Sequence, residues 1–143
     1  MEKKIVKLNP NPDEIFFRKI YWPLIKAEAI TTIFRPGKRL TAKEYGFYPG
    51  QLVTIRIIEH VGADWAGLQA ELSTSLVRRV RIDSVAAKMV SEVTEEDFRG
   101  SSPDVRDQAS LRYQLGIIYN LFPEEIGPDT FVTITKFTYE KAR

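Results

Sequence analysis

Alternating apolar and polar residues predict two strands of this chain most clearly. In residues 51–59 (QLVTIRIIE) alternate side chains share a face, and Arg56 lies opposite the apolar ones. The apolar face consists of Val53, Ile55 and Ile57. Residues 131–139 (FVTITKFTY) alternate in the same way and predict the closing strand, in which Lys136 shares a face with Val132 and Ile134.

Two further stretches are rich in β-branched residues and predict more of the same sheet. Residues 30–35 (ITTIFR) form a strand that ends at the Pro36-Gly37 turn. Residues 75–93 are long enough for one bent strand or two, and alternation puts Arg79 and Arg81 on the face opposite Arg78. Residues 60–72 have two glycines and weak periodicity, which favours a long loop or loose hairpin with Trp65 near its tip.

Helical spacing predicts three helical segments between these strands. The first runs from Asp13, its cap, to about Ala29 and is kinked or split at Pro23. A second begins after Thr94, whose hydroxyl can cap a first turn of acidic residues. A third begins at Ser102-Pro103. Its apolar stripe consists of Val105, Ala109, Leu111, Leu115, Ile118 and Tyr119.

These elements predict one α+β domain, residues 13–143, that follows a polar arm, residues 1–12. A chain of 143 residues has room for one core, and its sheet is expected to curl towards a small barrel. The sequence has neither the apolar region of a signal peptide nor a run of membrane-spanning length. We therefore expect a soluble, cytoplasmic protein that has no contact with a membrane.

The net charge of +2 conceals an uneven distribution of charge along the chain. Residues 1–90 contain 15 basic and 9 acidic side chains, whereas residues 91–143 contain 6 and 10. Such asymmetry indicates an anionic partner for the first part. The alternative is that an arginine-rich sheet simply lies beside an acidic helix.

The residue types exclude several kinds of catalytic chemistry. Without cysteine there is no thiolate zinc site and no thiol nucleophile, and the single histidine, His60, has no triad or metal-ligand spacing around it. Phosphate-binding glycine loops and the nucleophile elbow are also absent. We predict no cofactor and no metal, and lysine, threonine and carboxylate remain as the only candidates for catalysis.

The order of several short segments resembles the ASCH domain family of the PUA-like superfamily. These segments, between residues 14 and 139, are IFF, LIKAEAITTIFR, YPGQLVTIRI, VTEEDF, GIIY and FVTITKF. The resemblance implies a PUA-like β-barrel, a mixed sheet of about 5–6 strands with flanking helices. It also implies a cleft suited to RNA or to a modified nucleoside.

Some small members of this family resemble acetylcytidine amidohydrolases, in which a lysine, a threonine and a downstream acid are catalytic. The match puts Ala27 and Ala29 at the glycine and lysine of the Gly-x-Lys motif, so the resemblance favours binding over catalysis. If the chain is an amidohydrolase of that type, the residues available are Lys26, Thr32 and either Asp104 or Asp107. The same acids can instead support a helix dipole.

The resemblance and the basic first part of the chain together predict an RNA-binding module. The predicted contacts to RNA are Thr31, Thr32, Arg35, Lys38, Arg39, Arg56, Arg79 and Arg81. Lys43 adds a further cation, and Tyr45, Phe47, Tyr48 and Trp65 are available for stacking on bases unless they pack on the barrel. A third hypothesis is that the acidic second part binds a protein.

Overall fold

The computed structural model describes residues 3–7, 13–41, 46–61, 69–118 and 125–141. The strands in these ranges are β1 (Lys3–Lys7), β2 (Glu14–Arg18), β3 (Thr32–Pro36), β4 (Leu52–Val61), β5 (Gln69–Met89) and β6 (Phe131–Tyr139). The α-helices are α1 (Trp22–Lys26), α2 (Glu95–Phe98) and α3 (Gln108–Ile118). Short 3-10 helices over Lys19–Tyr21 and Val90–Glu92 lead towards α1 and α2.

The strands form one mixed sheet in the order β2-β4-β5-β6-β3, with β1 paired to β5. Only β2 and β4 are parallel among the pairs described. The long strand β5 pairs with β4 over residues 70–81 and with β6 over residues 80–89, and its register with β6 shifts at a bulge between Ile82 and Ser84. The sheet curls into a half-barrel with flanking helices, which confirms the expected α+β, PUA-like architecture.

The prediction of helix from Asp13 is wrong for residues 14–18, which form β2. Ile15 and Phe17 lie opposite Ile55 and Ile57 of β4 and pack in the same core. Helical spacing and strand alternation overlap in so short an apolar run, and pairing with a strand distant in sequence decides between them. The helix is limited to α1, with Pro23 in its first turn, where no backbone donor is needed.

The sheet separates two hydrophobic cores. The barrel core lies on the concave side and includes the apolar face of β4 together with Val80, Ile82 and Phe137. The helix-side core lies on the opposite face, where α3 contributes Leu111 and Leu115. β3 supplies Ile33 to the barrel core and Phe34 to the helix-side core, and β6 supplies Phe137 to the first and Val132 to the second, because successive side chains of a strand point to opposite faces.

The predicted cap at Thr94 is confirmed, since its hydroxyl accepts the N–H of Asp97 at 3.3 Å. The predicted start of the last helix at Ser102-Pro103 is wrong, because α3 begins at Gln108. Asp107 takes the capping role there, and its Oδ1 accepts the N–H of Ser110 at 2.8 Å.

The predicted loop over residues 60–72 is too long, because β4 extends to Val61 and β5 begins at Gln69, where the two strands pair. Its tip with Trp65 and the end of the apolar stripe at Tyr119 lie outside the described residues. The predicted polar arm contains β1, which pairs antiparallel with the first residues of β5. No described helix is long and apolar enough to cross a bilayer.

Candidate nucleic-acid interface

The predicted binding residues lie in three separate groups. Thr32 and Arg35 belong to the same strand but are separated by an odd number of positions, so they point to opposite faces. Thr32 faces α2, whereas the Arg35 guanidinium faces the barrel and lies 5.2 Å from the centre of the Phe47 ring. Arg79 lies at the middle of β5, where that strand pairs with β4.

The first group, Thr31 and Thr32, belongs to a cluster of side chains between β3, β6 and α2, which we call the closed cluster. The ammonium of Lys136 lies at its centre. Lys136 is the cross-strand partner of Thr32, and its Nζ donates to Thr32 Oγ1 at 3.1 Å. The same Nζ lies 3.2–3.3 Å from the carbonyl oxygens of Glu96, Asp97 and Arg99 at the end of α2. A cation there also complements the negative end of the helix dipole.

Burial lowers the pKa of Lys136, and the nearby carboxylates of Asp97 and Glu96 oppose this shift without cancelling it. Asp97 completes the closed cluster by joining α2 to β5. Its Oδ2 lies 2.8 Å from Lys88 Nζ and accepts the N–H of Thr94 at 2.8 Å. Burial alone would raise the pKa of Asp97, but the bonds from Lys88 and Thr94 outweigh it and hold that pKa below its usual range.

Gly100 brings the chain after α2 against the start of β3. Its carbonyl accepts the N–H groups of Thr31 and Thr32 at 2.7 and 3.1 Å. A Cβ at Gly100 would lie 2.1 Å from Thr31 Oγ1, and the φ of +83° is one that other residues rarely adopt, so only glycine fits. Thr32 is 2% exposed, and its hydroxyl donates to the Arg99 carbonyl at 2.6 Å.

Lys136 is not among the residues predicted for the site, although it shares a strand face with Val132 and Ile134. A lysine on an otherwise apolar strand face indicates a buried partner, and that signal could have identified the cluster. The partners themselves are backbone carbonyls of α2, which no residue pattern in β6 specifies.

The second group, which we call the basic end, consists of Arg35, Lys38 and Arg39 at the end of β3 and just after it. Lys38 Nζ lies 4.0 Å from the centre of the Phe131 ring, so the ammonium is held over an aromatic face. Arg39 donates from Nε to the Pro36 carbonyl at 2.9 Å. Aromatic rings and backbone thus orient these cations.

The turn that carries the basic end is fixed by Thr133 of β6. The Thr133 hydroxyl donates to the Gly37 carbonyl at 2.7 Å and accepts the N–H of Arg39 at 2.8 Å. Of the aromatic residues predicted nearby, Phe47 packs in the barrel core at 4% exposure, whereas Tyr48 is 62% exposed. Lys43 and Tyr45 lie outside the described residues.

The third group lies on the outer face of β4 and β5 and is largely paired with acids. Arg56 Nε lies 2.6 Å from a carboxylate oxygen of Glu14. Arg81 lies 3.7 Å from Asp83. Arg79 is exposed, and its carbonyl accepts the N–H of residue 140. The predicted role of these three arginines in binding stays a prediction.

The residues considered for amide hydrolysis have separate sets of partners. Lys26 ends α1 with an exposed side chain, and its carbonyl accepts from Arg78 at 3.1 Å. Asp104 accepts hydrogen bonds from the Tyr21 hydroxyl at 2.6 Å and from Ser102 at 2.5 Å. Burial and the bond to Asp104 raise the pKa of Tyr21. No described hydrogen bond joins Lys26, Thr32 and Asp104.

The end of α1 coincides with the positions matched to the Gly-x-Lys motif, Ala27 to Ala29. The left-handed conformation there is adopted by Glu28, with φ +58°, rather than by Ala27. Glu28 and Ala29 donate to the carbonyls of Ile25 and Leu24, as in a Schellman motif. In the described ranges, no cluster of three His, Cys, Asp or Glu side chains could hold a metal ion.

Comparison with known proteins finds similarity in structure but not in sequence. No protein-family profile matches the chain, and no curated protein matches it. An ASCH domain from Lactobacillus crispatus JV V101 superposes with a TM-score of 0.53 at 12% identity, over 89% of this chain and 78% of that one. Protein EF3133 from Enterococcus faecalis V583, of the DUF984 family, superposes with a TM-score of 0.51 at 12% identity, over 84% and 69%. The chain therefore has an ASCH-like fold.

Proposed function

We propose that this domain binds RNA and that Arg35, Lys38 and Arg39 of the basic end contact the phosphates. The main support is the difference in charge pairing among the cations. Lys38 and Arg39 contact a ring and a carbonyl and have no carboxylate partner among the described residues. Five other cations are paired with acids: Arg56 with Glu14, Arg78 with Glu28, Arg81 with Asp83, Lys88 with Asp97, and Arg99 with Glu96.

This difference matters because RNA affinity depends on charge that the protein has not already neutralised. A cation that meets a phosphate releases counterions, and this release supplies much of the binding free energy. A cation in an ion pair must first lose its carboxylate partner. Lys38 and Arg39 can therefore contact phosphates at lower cost than the paired arginines on the outer face of β4 and β5.

The arrangement of the basic end also supports phosphate binding. Arg35 and Lys38 lie over the rings of Phe47 and Phe131, and Arg39 is tied to the turn that Thr133 fixes. Side chains held in this way lose less conformational freedom when they bind. The excess of basic residues in positions 1–90 is consistent with an anionic partner.

The proposal can be tested with the double variant Lys38→Ala/Arg39→Ala and a labelled RNA of about 10 nucleotides. We expect fluorescence anisotropy at low salt to show binding by the wild type and about 10-fold weaker binding by the variant. The slope of log affinity against log salt should fall by about 1.4, because about 0.7 is lost for each phosphate contact to a single strand.

The matched control removes two exposed arginines elsewhere, Arg99→Ala/Arg106→Ala, so that both variants lose the same charge. This control should bind within about twofold of the wild type. Absence of wild-type binding at low salt would contradict the proposal. Equal weakening by the two double variants would also contradict it, since binding would then follow total charge.

No observation gives comparable support to amide hydrolysis. The Thr32 hydroxyl is buried and bonded both to Lys136 and to the Arg99 carbonyl. The expected lysine is Ala29, and Lys136, which contacts Thr32, is already surrounded by carbonyl oxygens. We therefore propose RNA binding alone.

A further inference from the structure

Exposed apolar side chains are concentrated in the stretch of chain that follows the basic end in sequence. Of the five large hydrophobic residues that are most exposed in the described ranges, three fall in one stretch: Leu40 at 46%, Tyr48 at 62% and Leu52 at 47%. The other two, Ile20 and Tyr113, belong to different elements. Phosphate binding alone does not explain apolar exposure at this place.

Tyr48 is held close to the basic end by the backbone. A Cβ on Gly46 would lie 2.0 Å from the carbonyl oxygen of Arg39. The backbone at Gly46 therefore packs directly against the backbone at Arg39, which only glycine allows. Gly46 also donates to the Thr41 carbonyl at 2.7 Å. Tyr48 follows two residues later, within a reach of about 7 Å along the chain.

The turn that carries Tyr48 is rigid. The Tyr48 N–H donates to Gln51 Oε1, and the Gln51 N–H donates back to the Tyr48 carbonyl, both at 3.1 Å. Gly50 supplies the positive φ of +91° and donates to the Ile82 carbonyl of β5 at 2.7 Å. An exposed tyrosine on a braced backbone offers a ring face at small entropic cost.

We infer that the basic end binds single-stranded rather than duplex RNA, and that Tyr48 stacks on an unpaired base. This inference rests on the proposed function and specifies its ligand. The exposed Tyr48 ring lies next to Lys38 and Arg39, which have no carboxylate partner among the described residues. Together they match the two surfaces of a single strand, its base faces and its phosphates. In duplex RNA the bases are stacked on one another, and their faces are closed to side chains.

The test compares Tyr48→Ala with the wild type on an oligouridine of about 10 nucleotides and on a duplex RNA of the same length. We expect the wild type to bind the single strand more tightly than the duplex, and equal binding of the two would contradict the inference. We expect Tyr48→Ala to bind the single strand at least about 5-fold more weakly and to bind the duplex as the wild type does. Tyr48→Phe should retain single-strand binding, because the stacking ring remains. Tyr113→Ala is the matched control, since Tyr113 on α3 is 66% exposed, and it should bind as the wild type does.

The outcomes separate this inference from the proposed function. If Tyr48→Ala binds the single strand as tightly as the wild type, the inference is wrong. It is also wrong if the variant loses affinity equally for both RNAs. In either case the proposed function stands as long as Lys38→Ala/Arg39→Ala weakens binding. If the wild type binds neither RNA, both are wrong.

Discussion

The closed cluster and the basic end lie on opposite faces of the same two strands, β3 and β6, yet the cations of the two regions have different kinds of partner. In the closed cluster the Lys136 ammonium, with its three N–H groups, lies within hydrogen-bond distance of one hydroxyl and three carbonyls, and Lys88 is paired with Asp97. In the basic end Lys38 lies over a ring, and its ammonium is not neutralised by any described acid. One arrangement joins α2 to the sheet, and the other leaves positive charge available to a partner.

This difference shows that a count of basic residues does not locate a binding surface. Residues 1–90 have a clear excess of basic side chains, but several of the predicted contacts are already paired within the fold. An exposed ion pair contributes little to stability, but it lowers the charge that a phosphate meets. Pairing therefore distinguishes these regions better than sequence position does.

Removal of the Lys136 ammonium should have the largest effect on stability. Lys136→Met keeps most of the side-chain volume but leaves the carbonyls of α2 and the Thr32 hydroxyl without their donor. We expect a loss of about 3 kcal/mol in the free energy of unfolding, measured by urea titration. The control Lys26→Met removes an exposed lysine and should change stability by less than about 0.5 kcal/mol. Equal effects of the two variants would show that the closed cluster is not structural.

Neutralisation of Asp97 should have a smaller effect that depends on pH. Asp97→Asn loses the ion pair with Lys88, which we expect to cost about 1.5 kcal/mol at neutral pH. Because the pKa of Asp97 is lowered in the folded protein, its stabilisation is present above the unfolded value of about 4 and is lost as the pH falls through the lower folded value.

Urea midpoints measured at neutral and acidic pH test this expectation. The difference in stability between the wild type and Asp97→Asn should shrink as the pH falls. The comparison with the variant removes the contribution of Asp107, whose pKa is also lowered, by hydrogen bonds from Ser110. A constant difference across this range would mean that Asp97 does not act through its charge.

Loss of the basic end should have the smallest effect on stability. Lys38→Ala/Arg39→Ala removes no ion pair with a described residue, and we expect a change of less than about 1 kcal/mol in the free energy of unfolding. The same variant is expected to lose RNA affinity, so the two measurements should diverge. A loss of stability as large as that of Lys136→Met would remove the distinction between the two regions.

Local patterns correctly predicted the elements whose partners are nearby in sequence, and those in which apolar and polar residues alternate regularly. The closing strand, the apolar face of β4 and the cap at Thr94 are as predicted. β2 was missed because its conformation depends on parallel pairing with β4, more than thirty residues away. No local pattern contains that information.

From the sequence, the kinds of residue at the candidate site could be predicted but not their arrangement. The sequence named basic residues as candidate contacts, and their role in binding stays a prediction. It grouped Thr32 with Arg35, although the two lie on opposite faces of β3. The ion pairs that neutralise Arg56 and Arg81, and the exposure of Tyr48, depend on the folded sheet. The partners of Lys136 are carbonyl oxygens of α2 and its end, which lie against β6 only in the folded chain.

The strand that separates the two regions, β3, also lies at an edge of the sheet. Its bonds to β6 involve Thr31 and Gly37, so the backbone groups of Thr32, Phe34 and Pro36 point outward. The N–H of Thr32 is taken by Gly100, and Pro36 has no N–H and gives its carbonyl to Arg39. Among the described residues, the outward groups left along β3 are the Thr32 carbonyl and the backbone of Phe34, which form a very short template for a strand of another chain. The contacts of the closed cluster and the basic end thus leave little of this edge open to pairing.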